Sequence, residues 1–242
     1  MKYALQQLRH AANTLRKKAA RRFLNWRNRN RPQAEVIAEE RRLRGREQLA
    51  RLREADIVIV SFGKSGRTWL RVMLSHLFRI RHDLPESALL GFDNFHSMNP
   101  AVPKIFFTHD NYIKDYTGEP ASKAPFYDKP VVLMARDPRD VAVSQFFQWK
   151  FRLKPNKVIL NNYPSREDDI SLFDFVTGDN DGGSLRAVVD YLNTWAAERE
   201  HIRRFHLLRY EDLRADPQGE LAKLVAFMGV EATPEEQAAA IE

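Results

Sequence analysis

Apolar residues along this chain follow two alternating patterns. Short runs near 56–61, 105–108, 131–135 and 205–209 are rich in β-branched, aromatic and leucine side chains. Runs of that length and character fit parallel strands whose two faces are both covered. Between them, Thr68 to Phe78 and Leu185 to Glu200 place apolar residues at three- and four-residue spacing, as amphipathic helices do. Strands that alternate with helices require crossover connections. Residues 55–242 are therefore expected to form one three-layer α/β domain with a mostly parallel central sheet.

The intervals are less regular. His82 to Asn99 is punctuated by Pro85 and Gly91, Tyr112 to Asp128 reads as loop, and Lys154 to Asp169 is polar. Long connections over a sheet form lids and substrate pockets. Phe92, His96, Tyr112, Phe147, Trp149 and Phe151 are expected around a bound acceptor on that ground. Thr177 to Gly183 is a turn cluster and not a calcium loop, since the twelfth position from Asp179 is Asp190 where a glutamate is required.

The densest chemistry lies in residues 56–72. The run Ile57 to Val60 ends in Ser61-Phe62-Gly63-Lys64-Ser65-Gly66, and a helical pattern follows. Loop amides and a helix N-terminus can cradle an anion there, with Lys64 adding a full positive charge. A Walker A loop needs a glycine five positions before Gly63, and Val58 stands there. An ordinary strand–turn–helix junction with a surface lysine is the plain alternative. In residues 131–149, the apolar run Val131 to Ala135 leads into Arg136, Asp137 and Pro138. Asp137 suits a helix N-cap and Pro138 the first helical position, which puts Arg136 at the carboxyl end of a strand. Ligands of open α/β sheets bind at such ends, and an arginine can grip a phosphate through two hydrogen bonds. A structural ion pair with Asp137 or Asp140 would explain Arg136 equally well.

Together these segments resemble the sulfotransferases that use 3′-phosphoadenosine 5′-phosphosulfate (PAPS). S-F-G-K-S-G-R-T-W-L is similar to that family's 5′-phosphosulfate loop, and A-R-D-P-R-D-V-A-V-S to its 3′-phosphate segment. Phe107-Thr108-His109 resembles the strand end that carries its catalytic histidine, and Leu208 to Leu213 with Asp216-Pro217 its Y-E-D-L…D-P segment. The resemblance implies a P-loop-NTPase-like α/β fold. It implies that Lys64 contacts the phosphosulfate bridge and that Ser65, Gly66, Arg67 and Thr68 surround the 5′-phosphate. Trp69 and Tyr210 would hold the adenine, Arg136 and Ser144 the 3′-phosphate. His109 would be the general base that takes the proton of an attacking hydroxyl or amine, a task suited to imidazole. The acceptor would be a saccharide, lipid or small molecule, the product nucleotide PAP, and the setting cytoplasmic. This sequence departs from the pattern in having Arg67 where threonine is common and Phe107 where the cytosolic members often have lysine. The basic, glycine-rich C-terminal loop of those members does not occur before Glu242.

Charge adds one more expectation. The chain carries a net +7, yet residues 1–53 hold 16 Lys and Arg against 4 Glu, a balance of +12. They read as two helical stretches, Tyr3 to Asn30 and Gln33 to Glu54, broken near Pro32, so residues 1–54 are expected to form a basic amphipathic extension. The stripe Leu5, Leu8, Ala12, Leu15, Ala19 and Phe23 could pack on the core, on a second subunit of a homodimer, or on an anionic membrane or glycan. The charge comes without a base-stacking or groove-reading motif, which argues against nucleic acid. The stretch Met1 to Asn30 lacks an apolar h-region, so no secretory leader is expected. The absence of cysteine fits a reducing compartment. No metal is expected, since no His, Asp or Glu cluster has ligand spacing and Lys64 and Arg136 supply the charge. Two other readings compete: a P-loop nucleotide kinase, which would need a full Walker A loop and a magnesium-binding acid, and a non-catalytic relative that binds membrane or a partner through its basic arm.

Overall fold

The structure is a computed structural model and describes residues 30–241 together with Ala12, Leu15 and Ala19. Apart from those positions, the helix expected over Tyr3 to Asn30 lies outside the described residues.

The described elements run α1 (Gln33–Glu54), β1 (Ile57–Ser61), α2 (Arg67–His82), α3 (Asn94–Met98), β2 (Ile105–Thr108), α4 (Ile113–Thr117), β3 (Pro130–Ala135), α5 (Pro138–Phe151), α6 (Pro155–Leu160), α7 (Leu172–Thr177), α8 (Leu185–Glu198), β4 (Arg204–Arg209), α9 (Tyr210–Ala215), α10 (Pro217–Met228) and α11 (Pro234–Ala239). The four strands form one parallel sheet in the order β2-β1-β3-β4. Val60 pairs with Thr108 of β2 and with Leu133 of β3, so the carboxyl ends of neighbouring strands lie nearly level. The chain leaves β1 for one side of it and then crosses to the other, which makes the β1 edge a switch point where such sheets bind ligands.

Helices cover both faces, which is why the strands read as apolar runs. Successive strand side chains point to opposite faces. Ile57 and Ile59 join Leu70, Leu74 and Leu77 of α2 and Leu221 and Leu224 of α10 on one side. Val58 and Val60 join Leu49 and Leu52 of α1 and Trp195 of α8 on the other. Thus α1, half of the basic stretch, buries Leu52 completely in the sheet-facing core. Fully burying such a leucine stabilises by about 1.5–3 kcal/mol. A third cluster of Phe146, Trp149, Val158 and Phe175 packs α5 against the Lys154–Asp169 excursion and α7. The connections that read as irregular contain the short helices α3, α4 and α6, each too brief to show periodicity in sequence.

Candidate active site

All four strands end in chemistry. Residues 62–69 follow β1, His109 follows β2, Arg136 follows β3, and Tyr210 follows β4. With level strand ends, these segments converge on one cavity of about 1510 Å³, lined by Lys64, Gly66, Arg67, Thr68, Trp69, His109, Arg136, Ser144 and Tyr210 among others. Of the residues expected to hold the nucleotide or act in catalysis, Ser65 alone does not line it, being 2% exposed.

The cradle is built by unusual backbone. Lys64 adopts φ 70° and Gly66 φ 93°, and Gly66 is the N-cap of α2 without any side-chain cap. The first amides of α2 are therefore left for an outside acceptor. A Cβ on Gly66 would stand 2.5 Å from the Tyr210 ring. Glycine thus lets the β1 loop and the Tyr210 segment meet. Tyr210 faces Trp69 edge-on at 6.0 Å, and the Arg136 guanidinium lies over its ring at 4.4 Å. Arg136 also donates to the Lys64 carbonyl at 3.2 Å and pairs with Asp140 at 3.1 Å, while its Nε is buried with no partner among the described residues. The Asp137 N–H donates to Glu211 at 2.8 Å, locking the end of β3 to the Tyr210 segment.

The electrostatics ask for an anion. Burial, with the charges of Arg152 and Arg136, lowers the Lys64 ammonium below its ordinary value. Burial pushes Arg67 down to about 10, with Arg71 adding to the effect. Gathering cations in a partly dry cavity costs free energy that a bound phosphate would offset.

His109 sits at the inner wall. Its Nδ1–H donates to the Ser61 carbonyl at 2.8 Å, and its Nε2 receives Arg67 Nη2 at 2.7 Å. Burial and the adjacent guanidinium push the imidazole down to about 3, so the ring is neutral across the ordinary range. The following residue, Asp110, adopts φ 52° and forms a buried ion pair with Lys123 at 2.7 Å. Burial pushes the Asp110 carboxyl up, and Lys123 opposes that shift.

Known proteins resemble the chain over the whole region that carries these segments. The sulfotransferase domain family model matches residues 54–242. The chain belongs to the sulfotransferase domain family. It is 30% identical over 192 residues to cytosolic sulfotransferase 3 of Arabidopsis thaliana, covering 76% of this chain and 56% of that protein. It is 27% identical over 202 residues to human sulfotransferase 2A1, covering 76% of this chain and 63% of that one. The chain thus spans somewhat over half the length of these curated relatives. Its fold is also that of mouse sulfotransferase SULT7A1, solved in complex with PAP, with a TM-score of 0.51 at 23% identity over 81% of this chain and 68% of the other.

This sulfotransferase-family cavity has lining residues that sequence reasoning missed. Lys64 Nζ donates to Gln148 Oε1 at 3.4 Å, and Gln145 is 4% exposed and accepts from the Tyr163 hydroxyl at 3.1 Å. Gln148 lies one helical turn after Ser144, so the i, i+4 spacing from Ser144 was the available signal. Asp110, Lys123 and Tyr191 carried no local pattern. The expected acceptor residues Phe92, His96, Tyr112, Phe147, Trp149 and Phe151 do not line the cavity. Phe92 packs edge-on to Phe106, and Tyr112 donates to Asn161 beneath the Arg41 and Arg44 guanidiniums. His96 is tied to the Val102 carbonyl, and Trp149 is core. Phe147 and Phe151 are 49% and 66% exposed and stack on each other outside the cavity. Aromatic character marked these residues in sequence, but it marks packing as readily as binding. The first turns of α1 supply a cavity wall instead, through Ala34, Ile37, Ala38 and Arg41. Among the described residues no cluster of His, Asp or Glu has metal-holding geometry, and no helix is long and apolar enough to cross a membrane.

Proposed function

We propose that this chain is a PAPS-dependent sulfotransferase that sulfates a hydroxyl or amine of a saccharide, lipid or small-molecule acceptor, with His109 as general base. The observation that carries the reading is the convergence of Lys64, Arg67, Arg136 and neutral His109 on one cavity at the strand ends. Lys64, the α2 amides and Thr68 would hold the 5′ group, Arg136 and Ser144 the 3′-phosphate, and Trp69 with Tyr210 the adenine. The buried, unpartnered Nε of Arg136 and Nη1 of Arg67 fit such an anion. PAPS supplies an activated sulfuryl group, whose bond to the phosphate oxygen breaks as the acceptor oxygen or nitrogen bonds to sulfur. Lys64 would meet the charge that the departing phosphate gains, and stabilising developing charge is usually a large catalytic contribution. His109 would take the acceptor proton at Nε2, its tautomer fixed by the Ser61 carbonyl.

Asp181, Asp190, Arg186, Asn162 and Lys114 also line the cavity, which supports a polar, hydroxyl-bearing acceptor. Peripheral contact with an anionic membrane through residues 1–54, on the cytoplasmic side, belongs to the same reading and is supported by their charge. Co-sedimentation of the full chain with phosphatidylserine vesicles tests it. A homodimer is tested by analytical ultracentrifugation.

The first test of function is calorimetric titration with PAP, with ATP as control. Micromolar binding that ATP does not match and that Arg136→Ala removes is the expected result. Equal binding of ATP and PAP would favour a nucleotide kinase, and no PAP binding would leave the non-catalytic reading.

A further inference from the structure

Arg67 occupies the lone pair that a general base must keep open. With Nδ1–H given to the Ser61 carbonyl, the only lone pair of neutral His109 is on Nε2, and Arg67 Nη2 donates to it at 2.7 Å. An imidazole so engaged cannot accept a proton from an acceptor. Protonating it in place would set an imidazolium against a guanidinium in a buried site, which both desolvation and like-charge repulsion oppose.

Arg67 is itself poorly satisfied. It is the first residue of α2, beside the free amides of the cradle. Its Nη1 is buried with no partner among the described residues. A neutral ring nitrogen is a weak counterpart for a guanidinium, whereas a phosphate or sulfonate oxygen offers charge and forked geometry together. The other groups facing this pair do not compete. Asp110 is bound to Lys123 at 2.7 Å, the Tyr191 phenol of α8 is pushed well up by burial and stays neutral, and the Ser61 carbonyl meets the ring at Nδ1, away from Arg67.

We propose that Arg67 is a gate on His109: it holds the Nε2 lone pair while no anion occupies the cradle, and transfers to the phosphosulfate when the nucleotide binds, so that the base is released only in the loaded site. This rests on the reading of the cradle as a PAPS site.

The test is nitrogen-15 NMR of histidine-labelled full chain at pH 8, where the ring is neutral and a shift of Nε2 reports its hydrogen bond, not protonation. On addition of PAP, the His109 Nε2 resonance moves toward the position of an imidazole nitrogen without a strong donor, with the half-saturation seen by calorimetry. In Arg67→Thr it starts near that position and PAP moves it little. In the same variant the proton affinity of His109 rises at least about tenfold in a pH titration. Arg67→Gln, closer in size, is the second variant and likewise loses the PAP-linked shift. PAP that binds while Nε2 stays put in the wild type overturns the gate and leaves the nucleotide reading intact. Absence of PAP binding overturns both.

Discussion

Lys64 and His109 show how the backbone and neighbours set the chemistry of single residues. The positive φ of Lys64 turns its side chain into the cavity beside Gln148. Lys64→Ala should lower kcat about 100- to 1000-fold at saturating nucleotide, as expected for a lost charge-stabilising group, with little change in Tm. His109→Gln should abolish measurable transfer while PAP binding survives. The same residue has a pH signature. Its folded pKa of about 3 lies well below its ordinary value of 6.5, so the unfolded chain binds the extra proton first. Stability is therefore full above about pH 6.5 and is lost as pH falls toward 3. Wild-type Tm should drop between pH 7 and 4.5, and His109→Gln should show a shallower drop. His82 and His206, both lowered mainly by burial, leave a residual slope.

At the scale of elements, the site depends on where strands stop and how the next segment turns. Gly66 must adopt φ 93° against the Tyr210 ring. Gly66→Ala should cost at least about 1 kcal/mol of stability by denaturant unfolding, since the left-handed backbone disfavours a Cβ. It should also weaken PAP binding by parting Tyr210 from the loop. The segment after β2 is fixed by the buried Asp110–Lys123 pair. Lys123→Met should destabilise by about 3–5 kcal/mol because it strands a buried carboxylate. The double variant Asp110→Asn, Lys123→Met should recover much of that loss, which urea titration of the three proteins would show. Strand ends were legible in the sequence because apolar runs stop abruptly at Ser61, Thr108 and Arg136. The short helices α3, α4 and α6 were not, because five or six residues cannot display a 3.6-residue period. That the residues expected around an acceptor stand outside the cavity was not legible for the related reason that exposed Phe147 and core Trp149 look alike in a sequence.

At the scale of the molecule, the parallel sheet acts as a level platform, and α1 closes one side of the cavity that it supports. Arg41 pins that wall by donating to the Leu160 carbonyl at 2.7 Å and pairing with Asp115 at 3.1 Å. PAP at a hundredfold excess over its Kd should stabilise the folded chain by about 2.7 kcal/mol, read as a rise in Tm. Arg136→Ala should remove most of that rise. By itself the sequence determined the parallel α/β architecture and placed the segments of Lys64, His109, Arg136 and Tyr210 at strand ends, because both follow from local periodicity and from where the apolar runs stop. Only the tertiary structure decided that Arg67 meets His109, that Gln148 meets Lys64, and that α1 faces the cavity. Those contacts join residues far apart in the chain. They exist because the strand order β2-β1-β3-β4 and its crossovers bring the carboxyl ends together, a consequence of packing that no local pattern encodes.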